Sequence, residues 1–469
     1  IPGLGSSDGH VLTYSSSSGG IVLAAAASSG VTGKVEGTDF SGSLLVGHTT
    51  TGTLSAASNN TGVGIGALDA LTTGDSNTAL GKDALSQANS SEKNTAVGHS
   101  ALSSANGAAA DLNTAVGYYA GRLLTGAQNV CIGANAGENI TSAYGNVAIG
   151  YYALQQEDAG QKNVAVGRSA LATLDAGADA HSVAIGFFAS PSATTAVDNV
   201  IIGSEAGYGL TTGSGNVAIG KHALYTEDGH GRNTAIGFEA LKVQDAGAEG
   251  HNVAIGYQAG VAVSTGVQNV IIGSTAADGL TSAVRGVYIG YRVASSATIT
   301  GNDNVVIGEA AGYNLTGGFS NVVIGQGAGY AMTGADYNVL IGQQAGDALT
   351  IGQKNVAVGY NALSAEDQHG NNVAVGYAAL QTLNAGADAA NVAVGYNAGL
   401  SMSTGTNCTV IGYEAGKALT TATRDTAVGY QSLFKEDTDG NNTAIGAQAL
   451  YNQNGGSNNV AVGHQAGYA

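Results

Sequence analysis

One motif recurs from about residue 60 to the end of the chain, and it constrains the fold more than any other feature. Its consensus is Asn-(Val/Thr)-(small or apolar)-(Val/Ile/Leu)-Gly-x-x-Ala-(Leu/Gly), as at 94–102, 146–154, 252–260 and 391–399. Counted by its glycine, the motif has 24 copies between Gly64 and Gly463, most of them 17 residues apart. Units this short cannot each bury a core, so the repeat predicts a solenoid of stacked coils.

The residues that precede the glycine predict one short strand in each coil. The third residue before it is Val or Thr in all 24 copies, and the residue directly before it is Val, Ile or Leu in all 24. Between them stands Ala in 15 copies. Because side chains alternate between the faces of a strand, the two larger columns share one face and the alanine shares the other with glycine. Both faces are apolar, which is typical of a buried parallel sheet. We expect one to fill the coil and the small, smooth one to contact another chain.

An asparagine column indicates how the coils stack. Asn stands four residues before the glycine in 20 of the 24 copies. Stacked coils would place these amides about 4.8 Å apart, within reach of hydrogen bonds to their neighbours. We interpret the column as a structural ladder, with glycan or ion contact as the alternative. Representative members are Asn94, Asn146, Asn216, Asn252, Asn355 and Asn391.

A longer period and a change of composition predict the domain organisation. The fourth residue after the glycine reads Leu, Leu, Gly, Gly through most of the array, which indicates blocks of four coils and about 70 residues. Residues 1–55 are rich in Ser and Gly, with short apolar strings at 11–13, 21–27 and 44–47. We therefore expect a β-rich or flexible leader over 1–55 and a repetitive rod over 56–469. Because the chain begins at Ile1, we also expect it to be part of a longer protein.

Composition excludes several classes of protein. Glycine accounts for 75 of 469 residues and proline for 2, too few of either for a collagen triple helix. The net charge of −18 argues against binding to nucleic acid. The sequence contains no apolar run long enough to span a bilayer, so we expect no membrane insertion of this segment. Cys131 and Cys408 lie far apart, and we interpret both as small buried apolar residues rather than a disulfide or metal ligands.

The loops offer few candidates for chemistry. A Glu-Asp pair recurs in the first coil of four blocks, at 157–158, 227–228, 366–367 and 436–437. We interpret these pairs as solvated turns that keep the rod soluble, with cation binding around a symmetry axis as the alternative. His230 and His369 follow two of the pairs and are expected at the surface. No catalytic constellation, cofactor motif or metal-ligand spacing is recognisable, so we expect neither an enzyme nor a bound cofactor or metal.

Aromatic residues cluster directly after the repeated glycine. Such a row could stack against sugar rings. Alternatively, it could line the seam between subunits, with each ring buried and its hydroxyl exposed to solvent. We favour the seam and keep glycan contact as the alternative. The candidate glycan-contact aromatics are Tyr118, Tyr151, Tyr257, Tyr377 and Tyr396.

The sequence Asn-Val-Ala-Ile-Gly-x-x-Ala, which stands at Asn146, Asn216 and Asn252, resembles the head repeats of YadA-like trimeric autotransporter adhesins. This resemblance covers residues 60–469. It implies a left-handed parallel β-roll in which three chains pack around one axis. The period here is longer than the usual repeat of that family, so additional loop residues must protrude or widen the coil.

A second resemblance concerns the leader. The segment from Gly5 to Thr13, Gly-Ser-Ser-Asp-Gly-His-Val-Leu-Thr, resembles segments that precede repetitive regions in phage tail fibre proteins. Fibres of marine phages are similar to this leader combined with arrays such as Asn113–Tyr118. The expectation is a non-enzymatic, homotrimeric tail fibre or spike shaft on the virion tail. Its partners would be copies of itself and a host surface polysaccharide or outer-membrane receptor. A bacterial surface filament or trimeric adhesin that forms a coat or biofilm matrix is the alternative.

Overall fold

The protein is an all-β chain whose repeats form a parallel β-solenoid of about 24 coils with a repeat of about 17 residues. A computed structural model describes residues 11–15, 20–24, 33–37, 40–47, 55–177, 179–435 and 438–468. Within these ranges no helix has the length and apolar character needed to cross a membrane. The predicted fold class is therefore confirmed as a β-solenoid.

The described residues form 28 strands, of which the last 24 have three residues each. Their bounds are β1 Val11–Ser15, β2 Gly20–Ala24, β3 Gly33–Gly37, β4 Phe40–Val46, β5 Thr61–Val63, β6 Thr78–Leu80, β7 Thr95–Val97, β8 Thr114–Val116, β9 Val130–Ile132, β10 Val147–Ile149, β11 Val164–Val166, β12 Val183–Ile185, β13 Val200–Ile202, β14 Val217–Ile219, β15 Thr234–Ile236, β16 Val253–Ile255, β17 Val270–Ile272, β18 Val287–Ile289, β19 Val305–Ile307, β20 Val322–Ile324, β21 Val339–Ile341, β22 Val356–Val358, β23 Val373–Val375, β24 Val392–Val394, β25 Thr409–Ile411, β26 Thr426–Val428, β27 Thr443–Ile445 and β28 Val460–Val462.

Residues 1–221 form the first of two compact units. Strands β1 and β2 pair antiparallel, as do β3 and β4, and β4 then pairs in parallel with β5. From β5 to β14 each strand is parallel to the next, and equivalent residues of successive repeats lie side by side, as Val147 does with Val164. Most of the leader motif at 5–13 and part of the apolar string at 21–27 lie outside the described residues. The division into a leader and a rod therefore stays a prediction.

Residues 222–469 form the second unit, which contains β15 to β28. The pairing rule is the same, with each strand parallel to the next and in register, as Val373 is with Val392. Backbone hydrogen bonds join successive coils outside the strands as well. The N–H of Leu363, for example, donates to the carbonyl of Ala379 at 3.0 Å. Turns as well as strands are therefore hydrogen-bonded to their equivalents in the next coil. Because an inserted residue would shift these pairs out of register, the repeat length varies little.

The repeated glycine lets the chain turn directly after each strand. Gly150 has a φ of +133°, a region that residues with a side chain rarely adopt. A Cβ atom at this position would also meet the backbone carbonyl of Gly167 in the next coil. Both the torsion angle and the close approach of the two backbones require glycine here.

The structure reverses the predicted assignment of the two strand faces. The central residue of each strand is buried inside the coil, whether it is Ala148, Cys131 or Ile201. The flanking Val/Thr and Val/Ile/Leu columns point outward and are mostly half-buried, with Ile255 37% exposed. The interior therefore receives the small face, because Ala and Leu from the following turn, such as Ala153 and Leu154, already occupy it.

Candidate functional site

The outward face of the strands is a candidate interaction surface that recurs in every coil of each unit. It consists of the Val/Thr and Val/Ile/Leu columns, which contain no charged residue in any of the 24 repeat strands. Several of its members are more than one third exposed, including Ile132, Ile185, Ile255, Ile411 and Ile445. We call this surface the outer strand face. An uncharged surface with regularly repeated exposed aliphatic side chains is typical of an interface.

A row of tyrosines follows the outer strand face in the second unit. The rings of Tyr360, Tyr377, Tyr396, Tyr413 and Tyr430 stack on one another, with centroids 5.1–5.5 Å apart and planes within 17° of parallel. Each of these side chains is exposed. Because Tyr377 and Tyr396 have a ring on either side, they present ring edges and hydroxyls to the solvent. We call these five residues the tyrosine row.

The other candidate aromatics have different neighbours. Tyr118 lies 3.9 Å from Tyr119, measured between ring centroids, and 5.4 Å from His99. Tyr151 lies 4.0 Å from Tyr152 and has the Arg168 guanidinium over its ring. Tyr257 stacks on Phe238 at 5.4 Å, and all three candidates are exposed. Their assignment to glycan contact stays a prediction.

The six selected asparagines are fully buried. In five of them the side-chain oxygen accepts a hydrogen bond from the backbone of the next coil. Asn146 Oδ1 accepts from the N–H of Asn163 at 2.8 Å, and Asn355 Oδ1 accepts from that of Asn372 at 3.0 Å. The contact therefore runs from side chain to backbone, and only some pairs add the amide-to-amide bond of a simple ladder, as Asn94 Nδ2 does with Asn77 Oδ1.

The remaining asparagines follow the same pattern. Asn94, Asn252 and Asn391 Oδ1 accept from the backbone N–H of residues 113, 269 and 408, and the N–H of Asn216 donates to Asn199 Oδ1. The Nδ2 groups of Asn252 and Asn391 donate to the carbonyls of Gly266 and Gly405 at 2.9 and 2.7 Å. These bonds satisfy buried polar groups in the loop before each strand.

Both cysteines are buried and free. Cys131 occupies the centre of β9, and burial raises its pKa to about 12. Cys408 stands in the asparagine column, where its N–H donates to Asn391 Oδ1 at 2.9 Å and burial raises its pKa to about 11. Their interpretation as small buried residues is confirmed.

The Glu-Asp pairs differ from the predicted solvated turns. Glu157, Glu227 and Glu366 are fully buried, and only the aspartate that follows each one is accessible. Burial raises the pKa of the Glu227 carboxyl to about 7, although the backbone N–H of His230 opposes this shift. The pair at 436–437 lies outside the described residues.

Each buried glutamate belongs to a cluster of potential metal ligands. The clusters are Glu157 with Asp158 and Asp175, Glu227 with Asp228, His230 and Asp245, and Glu366 with Asp367 and His369. His230 and His369 are partly buried against their glutamates, with Nδ1 at 3.4 and 3.3 Å from the Oε1 atom. Both imidazoles keep about a quarter of their surface exposed, so they lie at the surface as expected, in contact with the buried glutamates.

Sequence reasoning missed Asp175 and Asp245, although a signal was present. Each follows its buried glutamate by 18 residues, so it stands in the next coil and stacks close to that glutamate. Asn384 occupies the equivalent position after Glu366.

Two other glutamates, largely buried, form ion pairs with partly exposed lysines, and this arrangement also recurs. Glu239 Oε1 lies 2.7 Å from Lys242 Nζ, and Glu414 Oε1 lies 2.6 Å from Lys417 Nζ. These lysines, together with hydrogen bonds from Gln258 and Gln431, lower the pKa of both carboxyls, that of Glu239 to about 2.

Comparison with protein-family models, with curated proteins and with solved structures finds no match to this chain. Its function must therefore be argued from the outer strand face, the tyrosine row and the loops.

Proposed function

We propose that the chain is the shaft of a homotrimeric phage tail fibre or spike, without enzymatic activity, that takes part in attachment to the host surface. The observation that carries this proposal is the outer strand face, which has no charged residue and at least one Val, Ile or Leu in every repeat strand, and which is mostly half-buried in the single chain. Burial of apolar surface is favourable by about 25 cal/mol per Å², so a face of this kind is stabilised by a partner with the same period. A second copy of the chain has that period.

The tyrosine row supports the same assembly. Its rings stack on one another from each coil to the next, which leaves less ring face for a sugar but keeps ring edges and hydroxyls accessible. Tyrosine is common at interfaces because one end of the side chain is apolar and the other forms hydrogen bonds. Attachment would then come from the polar loops, repeated along three chains, so that many weak contacts add up through avidity. The number three comes from the resemblance to trimeric adhesin heads.

The location can be tested by immunogold electron microscopy of the source material with an antibody against this chain. Antibody that has been pre-absorbed with the purified chain is the control. We expect label on the tails of virions. Label on cell envelopes or on free filaments, with bare virions, would overturn the fibre assignment and favour the bacterial surface filament or adhesin instead.

A further inference from the structure

One interior position of the coil carries glutamate where most repeats carry an apolar residue. The seventh residue after the repeated glycine is buried, as Leu174, Leu349 and Leu419 illustrate. In the coils that begin with Gly150, Gly220 and Gly359, the same position holds Glu157, Glu227 and Glu366, also fully buried. A buried carboxylate is costly unless it is paired or bound to a cation, and leucine at the same place would avoid the cost.

Part of the Glu227 carboxylate is used to shape the loop. Its Oε1 accepts a hydrogen bond from the backbone N–H of His230 at 3.0 Å. The other oxygen, Oε2, is buried and has no hydrogen-bond partner. A buried carboxylate oxygen without a partner is rare in folded proteins, and a bound ion or water is one explanation for it.

The groups near the Glu227 carboxylate form a set of potential metal ligands. Asp228 and His230 come from the same loop, and Asp245 comes from the next coil. One ligand atom from each of these residues and from Glu227 lies within 4.8 Å of all the others. Three carboxylates this close repel one another, whereas a divalent cation between them would turn the repulsion into attraction.

We propose that Glu227, Asp228, His230 and Asp245 bind one divalent metal ion of the Zn²⁺ or Mn²⁺ class. An imidazole nitrogen among carboxylate oxygens favours such an ion over Ca²⁺, which prefers oxygen ligands alone. The ion would join two successive coils through Glu227 and Asp245. This proposal does not depend on the fibre assignment, since it concerns one loop of a single chain.

The other two clusters are natural variants of this site. Glu366, Asp367 and His369 keep the imidazole, but Asn384 replaces the aspartate of the next coil, and both Glu366 oxygens accept backbone hydrogen bonds. Glu157, Asp158 and Asp175 keep three carboxylates, but Gly160 replaces the histidine. The first should bind Zn²⁺ more weakly, and the second should prefer an oxygen-binding ion such as Ca²⁺.

The test uses the full chain, treated with a chelator and then titrated with Zn²⁺ by calorimetry, with metal analysis after desalting. Glu227→Gln keeps the shape of the side chain and an acceptor for the His230 N–H. Asp245→Asn copies the natural residue at 384, so its effect on folding should be small. The matched control is Glu249→Gln, an exposed carboxylate near Arg232 that lies outside all three clusters.

We expect saturable Zn²⁺ binding in the wild type and in the Glu249→Gln variant. Glu227→Gln should lose one ion per chain, and Asp245→Asn should weaken the affinity of that ion at least tenfold. His230→Gly, which copies Gly160, should lower the preference of this site for Zn²⁺ over Ca²⁺. Absence of saturable Zn²⁺ binding in the wild type would overturn the proposal. So would Glu227→Gln and Asp245→Asn variants that both bind Zn²⁺ with the stoichiometry and affinity of the wild type.

Discussion

At the scale of single residues, two departures from the consensus compensate for each other. Tyr288 stands at the centre of β18, where most strands have alanine, and it is fully buried. Gly286, two residues earlier, stands in the asparagine column, and a Cβ atom there would collide with the Tyr288 ring. The ring therefore occupies the space that an asparagine side chain fills in other coils. The hydrogen bond from the backbone of this column to the preceding coil is retained, since the N–H of Gly286 donates to Asn269 Oδ1 at 2.8 Å.

This compensation predicts a coupled pair of substitutions. Tyr288→Ala should destabilise the protein by about 3–5 kcal/mol through the cavity that it leaves. Gly286→Asn alone should also destabilise it, because the new side chain overlaps the ring. The double variant restores the consensus and should be more stable than the sum of the two effects predicts. Urea unfolding of the four proteins measures the coupling, and simple additivity would contradict this explanation.

At the scale of the coil, the volume of the interior is kept nearly constant by two positions: the centre of the strand and the fourth residue after the glycine. When one of them is large, the other is small. Where the fourth residue after the glycine is leucine, the centre of the strand is small, as with Leu154 and Ala148. Where that residue is glycine, the centre is often larger, as with Gly207 and Ile201. A Cβ atom on Gly207 would already lie 3.3 Å from Ile201 Cδ1. Close packing of the interior explains why no coil carries large residues at both positions.

An exchange within one coil tests this volume rule. Ile201→Ala alone should cost about 2–5 kcal/mol of stability through the lost contacts and the cavity. Gly207→Leu alone should overpack the interior and destabilise it as well. Together they reproduce the arrangement of Leu154 and Ala148, so thermal unfolding of the double variant should approach that of the wild type. A double variant that is less stable than both single variants would refute the rule.

The strands and their stacking could be predicted from the sequence, whereas the inside of the coil could not. Alternation along the strand correctly grouped Val147 with Ile149 and separated both from Ala148. It could not say which group points inward, because both faces are apolar and the deciding quantity is the volume left by Leu154 from the turn. The cluster around Glu227 was missed for a related reason. Its members come from two successive coils, and only the stacking of those coils brings Asp245 close to Glu227.

At the scale of the whole molecule, the distribution of charge separates surfaces that contact solvent from surfaces that contact protein. Only 10% of the residues are charged, and the net charge is −18. None of the charged residues stands in the columns of the outer strand face, so among the described repeats the charge is carried by turns and loops. Acidic loops keep a long repetitive protein soluble, and an uncharged face permits copies of it to associate without burying an unpaired charge.

This distribution predicts that the chain associates through the outer strand face and not through its loops. We expect sedimentation analysis to find a particle of three chains of 45.9 kDa each. Ile255→Lys places a charge on the outer strand face, and Thr265→Lys places the same charge on an exposed loop residue of the same coil. Because an unpaired buried charge costs several kcal/mol, Ile255→Lys should weaken the assembly markedly, whereas Thr265→Lys should leave it intact. A wild-type chain that remains a folded monomer, or equal assembly of the two variants, would show that the outer strand face is not the interface.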